Sequence, residues 1–185
     1  MDKLNIFEAG ILVFIQDNLR TPAGNAVMPL FSLVNEAGIL AIITVLALTI
    51  WKKYRNCGMT AMLTLISEVL AVNVIIKPIV ARVRPYDVNT ALTILGIKPS
   101  DASFPSGHTG AAFAVAFAML FTMPKKWGIP AIIVASLISL SRLYCGVHYP
   151  TDVLAALLIA LVAAILMNKF VYPKITEFLK RKGWI

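Results

Sequence analysis

Residues 105–123 read PSGHTGAAFAVAFAMLFTM, with no charged side chain from Thr109 onward. At 1.5 Å per residue this run is about the length that crosses a hydrocarbon core. Pro105 and Ser106 stand where a helix begins, and the Ser106 hydroxyl is suited to cap its first free N–H groups. The positive end of such a helix faces outward from the run and favours an anion. Gly110, Ala114 and Ala118 recur every fourth residue, and a stripe of small side chains lets helices approach closely in lipid. The stretch predicts a closely packed membrane-spanning helix with His108 in its first turn.

Similar apolar runs occupy 33–51, 58–81, 127–144 and 150–171, the last with its own small stripe at Ala156, Ala160 and Ala164. The chain has 185 residues, of which 59% are hydrophobic and 14% charged, far outside the soluble globular range. These features predict an integral membrane protein, all-α, a polytopic helix bundle of about five spans. At this length a single domain over 1–185 is expected. Segment 4–19 differs: Asn5, Glu8 and Gln16 recur on one side, and Leu4, Phe7, Ile11, Phe14 and Ile15 on the other. That pattern fits an amphipathic helix within 1–22 lying in the interface, with a tilted sixth span as the alternative. Thr21-Pro22 and Gly24 are expected to break it. Asp2 and Glu8 interrupt the amino terminus and no A-x-A site follows, so no cleaved signal is expected.

The net charge is +8, but the cations stand at the ends of apolar runs instead of gathering on one soluble face, which argues against a nucleic-acid partner. Lys52, Lys53 and Arg55 form one group, Lys125 and Lys126 a second, and Lys169, Lys174, Lys180, Arg181 and Lys182 a third. With five spans all three fall on one side, the cytoplasm by the positive-inside rule. The 82–105 loop and the 145–149 connection then face outward. Cys57 and Cys145 fall at opposite faces, too far apart for a disulfide. Trp51, Trp127, Trp184 and Tyr172 read as packing or interfacial anchors.

Outside the runs, three short stretches share one chemistry: Lys77 with Arg84-Pro85, then Pro105-Ser106-Gly107-His108, then Ser141-Arg142 with His148 and Asp152. They contain both histidines of the protein. Lys77 and Arg84 are seven apart and share a face if the helix continues past Pro78. Arg142 adds a planar fork that can grip two phosphate oxygens. Asp152, four residues after His148, can fix the ring's tautomer while its other nitrogen attacks. His108 is then free to protonate the leaving oxygen and later to activate water. No metal and no other cofactor is expected, since Lys77, Arg84 and Arg142 repel a divalent ion. Glu68, near the middle of its span, is phased opposite Lys77, whereas Asn73 shares its face and is placed to support it.

Lys77-x6-Arg84-Pro85, Pro105-Ser106-Gly107-His108 and Ser141-Arg142-x5-His148-x3-Asp152 resemble the three-part signature of the type 2 phosphatidic acid phosphatase superfamily, which includes bacterial undecaprenyl-diphosphate phosphatases and vanadium haloperoxidases. The match spans 77–152 and is complete at every signature position. The resemblance implies a metal-independent membrane phosphatase with a phosphohistidine at His148, oriented by Asp152. It makes His108 the general acid and Lys77, Arg84, Ser106, Gly107 and Arg142 the phosphate ligands. The expected substrate is a lipid phosphate or diphosphate: undecaprenyl diphosphate first, then phosphatidylglycerol phosphate or phosphatidic acid. An outward-facing site in the plasma membrane of a bacterium fits that order. A non-catalytic lipid-phosphate binder or flippase is the rival, and it needs the cations but not both imidazoles. Vanadate-dependent oxidation is a second rival, disfavoured by the apolar surroundings. Oligomeric state is not legible in the sequence.

Overall fold

The computed structural model describes residues 2–181, an all-helical chain. Helices α1 (Asp2–Leu19), α2 (Pro22–Val34) and α3 (Ile39–Ile50) are followed by α4 (Arg55–Val69). A π-helical stretch, Leu70–Ile76, leads from α4 into the short α5 (Lys77–Val80), and α6 (Pro85–Val88) follows. A long loop reaches α7 (Gly107–Thr122), then α8 (Lys125–Tyr144) and α9 (Pro150–Leu166), which passes through a second π-helical stretch into α10 (Tyr172–Arg181). Lys182 and Trp184 lie outside the described residues.

By length and composition, four helical runs can cross a membrane: Pro22–Ile50, Lys52–Val88, Lys125–Tyr144 and Pro150–Phe178. The fifth expected span is α7, which has 16 residues and so is about 24 Å long. It packs against α3, α4, α8 and α9, and no residue from Gly107 to Leu120 is exposed. A helix surrounded by other helices need not match the lipid thickness with its own apolar surface.

The packing logic inverts that of a soluble bundle. On α9 the small residues Ala156, Ala160 and Ala164 are fully buried, while Leu154, Leu158 and Val162 are each at least 50% exposed. Lipid gives large side chains no reason to turn inward, so close backbone approach and dispersion contacts decide which face is internal. Gly128 shows how tight this becomes: a Cβ there would lie 2.6 Å from Leu120 Cα, where α8 folds back on α7.

The chain breaks between α1 and α2 as expected, with Thr21 as the N-cap of α2 and Pro22 in its first turn. Gly24 does not break the helix; it lies inside α2, where a Cβ would meet the Tyr144 hydroxyl at 2.3 Å. The expected 33–51 span is bent at Ala37 and Gly38, both at positive φ. From Asn25, bonded to Tyr144, to Ser32, bonded to Arg142, α2 stays beside the C-terminal end of α8. Helix α1 turns Asn5 and Glu8 inward together with Ala9 and Leu12, while Ile6, Phe7 and Phe14 are exposed.

Gly128→Ala is expected to force α7 and α8 apart at a backbone contact, costing about 1–3 kcal/mol. The check is a lowered thermal midpoint in detergent. Gly10→Ala, which meets nothing within 4 Å, is expected to leave the midpoint unchanged or raise it.

Candidate active site

The site begins at the start of α7. Ser106 caps the helix, its hydroxyl accepting from Thr109 N at 3.4 Å and Thr109 Oγ1 at 3.0 Å. Gly107 has Asn73 Oδ1 and Lys77 Nζ within 4 Å of where a Cβ would stand, so the missing side chain lets both approach the helix end. His108 Nε2 lies 3.2 Å from Glu36 Oε2, and its carbonyl accepts from Asn35 Nδ2 at 3.0 Å. The kink at residues 35–38 therefore sits directly on the first turn of α7.

Lys77 and Arg84 do not share one helical face. The helix stops at Val80, and Ala81 takes a left-handed conformation. A loop residue joins the two cations: Asp101 pairs with Lys77, and its Oδ1 accepts from Arg84 Nη2 at 2.6 Å. Burial favours the neutral Asp101 acid, but the Lys77 hydrogen bond and charge, with Arg84, outweigh it and hold the carboxyl down at about 2. Arg84 also donates from Nε to the Asp101 carbonyl at 2.9 Å and from Nη1 to the Val147 carbonyl at 2.7 Å.

Arg84 Nη1 stands 3.2 Å from His148 Nε2. A guanidinium can only donate, so Nε2 is the acceptor and the proton of the neutral ring is on Nδ1, which faces Asp152 Oδ2 at 3.3 Å. Burial, together with the charges of Arg84 and Arg142, lowers the His148 pKa to about 4 against the opposing pull of Asp152. Near neutral pH the ring is thus neutral, with its Nε2 lone pair toward the cations. Asp152 is buried behind it and also accepts from Ser103 Oγ at 2.5 Å, Tyr149 N at 2.9 Å and Arg82 Nη1 at 2.6 Å.

A cavity of about 540 Å³ opens over these groups, and Lys77, Arg84, Gly107, His108, Arg142 and His148 all line it. Of the expected catalytic and phosphate-binding residues, Ser106 and Asp152 do not line it; one caps α7 and the other backs His148. Arg142 is buried, with Nη1 on Ser32 and with no hydrogen-bond partner for Nε among the described residues. Asn73, expected only to support Lys77, itself lines the cavity. Glu68 departs from its expected placement. Gly110 of α7 packs directly on its carboxylate, on the side where Lys77 meets Gly107, because the wider π-helical turns of Leu70–Ile76 shift the phase between Glu68 and Lys77.

Sequence reasoning passed over Asp101, Glu36 and Ser103, and marked Arg82 only as a cation in or beside the site. The first three stand in connecting segments with no spacing to mark them.

The PAP2 superfamily profile matches residues 57–176. An undecaprenyl-diphosphatase of Sulfolobus acidocaldarius is 37% identical over 112 residues, 60% of this chain and 54% of that protein. Undecaprenyl-diphosphatase BcrC of Bacillus subtilis is 39% identical over 101 residues, 55% of this chain and 51% of that one. The matched region thus spans about half the length of these curated relatives. The crystal structure of Aquifex aeolicus LpxE superposes with a TM-score of 0.76 at 25% identity, covering 87% of this chain and 94% of that one.

A nitrogen-15 NMR titration is expected to show His148 protonated on Nδ1 alone at pH 7 and gaining its second proton only as pH falls to about 4. Asp152→Asn removes a neighbour that favours the imidazolium, so the transition is expected to move lower still.

Proposed function

This chain belongs to the PAP2 superfamily, and from that premise we propose that it is an integral membrane phosphatase that removes the terminal phosphate of a lipid diphosphate. The observation that carries the reading is the state of His148. Its Nε2 is an unprotonated acceptor beside Arg84 while Nδ1 is tied to buried Asp152, in the same cavity as Lys77, His108 and Arg142.

In the proposed reaction the terminal phosphate enters among Lys77, Arg84 and Arg142, near the N–H groups that open α7, and displaces the Asp101 carboxylate from its two cations. His148 Nε2 attacks phosphorus; the bond to the bridging oxygen breaks, and His108 gives that oxygen its proton. Asp152 balances the positive ring of the phosphohistidine. Water, deprotonated by His108, then cleaves the nitrogen–phosphorus bond and releases inorganic phosphate. Ser106 contributes by fixing the start of α7. Apart from water, each step uses only groups of this chain.

Undecaprenyl diphosphate is the favoured substrate, supported by the names of two relatives and by an outward-facing site. That orientation rests on Lys52 and Lys53, between α3 and α4, and on Arg55, Lys125 and Lys126, in the first turns of α4 and α8, all away from the cavity. A lipid-phosphate binder without chemistry has no use for a histidine whose tautomer is held from behind by a buried carboxylate.

Purified protein is expected to release phosphate from undecaprenyl diphosphate with EDTA present, to form an acid-labile phosphoenzyme, and to lose turnover in His148→Ala. Substantial turnover in that variant overturns the nucleophile. Asp101→Asn is expected to tighten inhibition by vanadate severalfold, because the competing carboxylate is gone; weaker inhibition would make Asp101 a ligand's partner instead of its competitor. For orientation, single cysteines at Asn89 or Ser100, with Cys57 and Cys145 replaced, should react with an impermeant thiol reagent on intact cells, and one at Lys125 only after lysis.

A further inference from the structure

Arg82 is engaged at all three guanidinium nitrogens, yet it does not line the cavity. Its guanidinium is buried and donates from Nε to Asn5 Oδ1 at 2.9 Å, from Nη2 to Glu8 Oε2 at 2.5 Å, and from Nη1 to Thr151 Oγ1 at 2.7 Å and Asp152 Oδ1 at 2.6 Å. Its Cζ stands 3.8 Å from the centroid of the buried Tyr149 ring. Glu8 is held equally firmly. Its Oε1 accepts from Thr151 N at 2.9 Å in the first turn of α9, and Oε2 accepts from Thr151 Oγ1 at 2.8 Å. A continuous chain of buried groups therefore runs from α1 through Arg82 and Asp152 to His148.

We propose that Arg82, clamped by Asn5 and Glu8, is a positioning residue for His148, which makes the amino-terminal helix part of the catalytic unit. The inference rests on the reading of His148 as nucleophile and goes beyond it, since α1 precedes the region that matches the family.

The physical argument concerns the two oxygens of Asp152. Arg82 occupies Oδ1, so the carboxylate cannot swing and Oδ2 stays directed at Ser103, Tyr149 N and His148 Nδ1. An arginine alone would achieve this at the expense of the field His148 needs: its positive charge would cancel the negative charge of Asp152 that stabilises a phosphorylated, cationic ring. Glu8 restores the balance. The buried set of Glu8, Arg82 and Asp152 carries net one negative charge, held in one geometry by hydrogen bonds. Glu8 also places a carboxylate at the positive end of α9, where the helix dipole favours it.

The arrangement predicts opposite electrostatic effects from the two ends of one ion pair. The other charged groups facing His148 are Arg84 before α6, Lys77 of α5, Arg142 of α8, His108 of α7 and, through Lys77 and Arg84, loop residue Asp101. All remain in the variants below. Glu8→Gln leaves Arg82 uncompensated, so the imidazolium is disfavoured and the acid limb of kcat/KM should move lower by about half a pH unit. Arg82→Gln frees the full charge of Asp152, and the limb should move higher by a similar amount. In both, kcat should fall about tenfold or more with KM within about twofold, because the loss falls on the nucleophile and spares phosphate binding. Arg82→Lys, which keeps the charge, should return the limb to its wild-type position.

The experiment is the pH profile of phosphate release from undecaprenyl diphosphate by full-length wild type and these variants in detergent, with thermal midpoints measured alongside. Limbs that move in opposite directions establish the relay. Lowered midpoints with limbs that stay in place reduce the network to a structural one and overturn the proposal. Should Glu8→Gln and Arg82→Gln fail to fold, Asn5→Asp decides: it keeps the acceptor on Arg82 Nε and adds a negative charge, so the limb must rise, and an unmoved limb overturns the relay. A wild type that releases no phosphate, or an active His148→Ala, removes the underlying phosphatase reading; an active wild type with unmoved limbs removes the relay alone.

Discussion

A fully buried carboxylate near a membrane surface must be matched donor for donor, and at Asp152 the matching organises one end of the bundle. Arg82, Ser103, Tyr149 N and His148 all reach its two oxygens, while its own carbonyl accepts from Ser106 N at 3.1 Å. The contacts come from the segment after α5, the long loop, the turn before α9 and the N-cap of α7. Three stretches of chain, at 82, 103–106 and 148–152, are therefore fixed relative to one group. An unmatched charge in so dry a place costs several kcal/mol, so the positions of these segments are constrained together.

The bundle beneath has the opposite character. Its interior is rich in alanine and glycine, and many of its large aliphatic side chains face outward. With no hydrophobic drive between helices in lipid, adhesion comes from close backbone approach, and α7, encased by its neighbours, presents its N-terminus at a defined depth. The apolar half and the polar half meet at Gly107 and Gly110. One admits Lys77 and Asn73 to the helix end, and the other accommodates Glu68 a turn deeper.

Charge at the cavity surface is balanced locally. Asp101 bridges Lys77 and Arg84, and Glu36 stands against His108. Both carboxylates are borne on connecting segments instead of the core helices, and both are partly exposed. A polyanion can therefore exchange with them without breaking the buried set around Asp152. The two kinds of acid do different work because one is enclosed and the other is not.

The apolar runs, the polar stripe of the amino-terminal helix and, among the cavity-lining residues, Lys77, Arg84, Gly107, His108, Arg142 and His148 were legible in sequence, because lipid demands long apolar runs and because histidine and arginine at helix ends are conspicuous against them. His148 and Asp152, four residues apart, do meet, but across the start of α9 and not within one helical turn, since Tyr149 is extended. What sequence could not carry is whatever depends on non-helical backbone or on distant segments meeting. Lys77 and Arg84 converge through Asp101 and not through a shared helical face, because Ala81 ends the helix. Glu68 turns toward α7 because π-helical turns change the phase. Only the tertiary structure decided that Asn5 and Glu8 are interior: the polar stripe of α1 reads as water-facing until Arg82, some seventy residues away in the chain, supplies the charge that draws it inward.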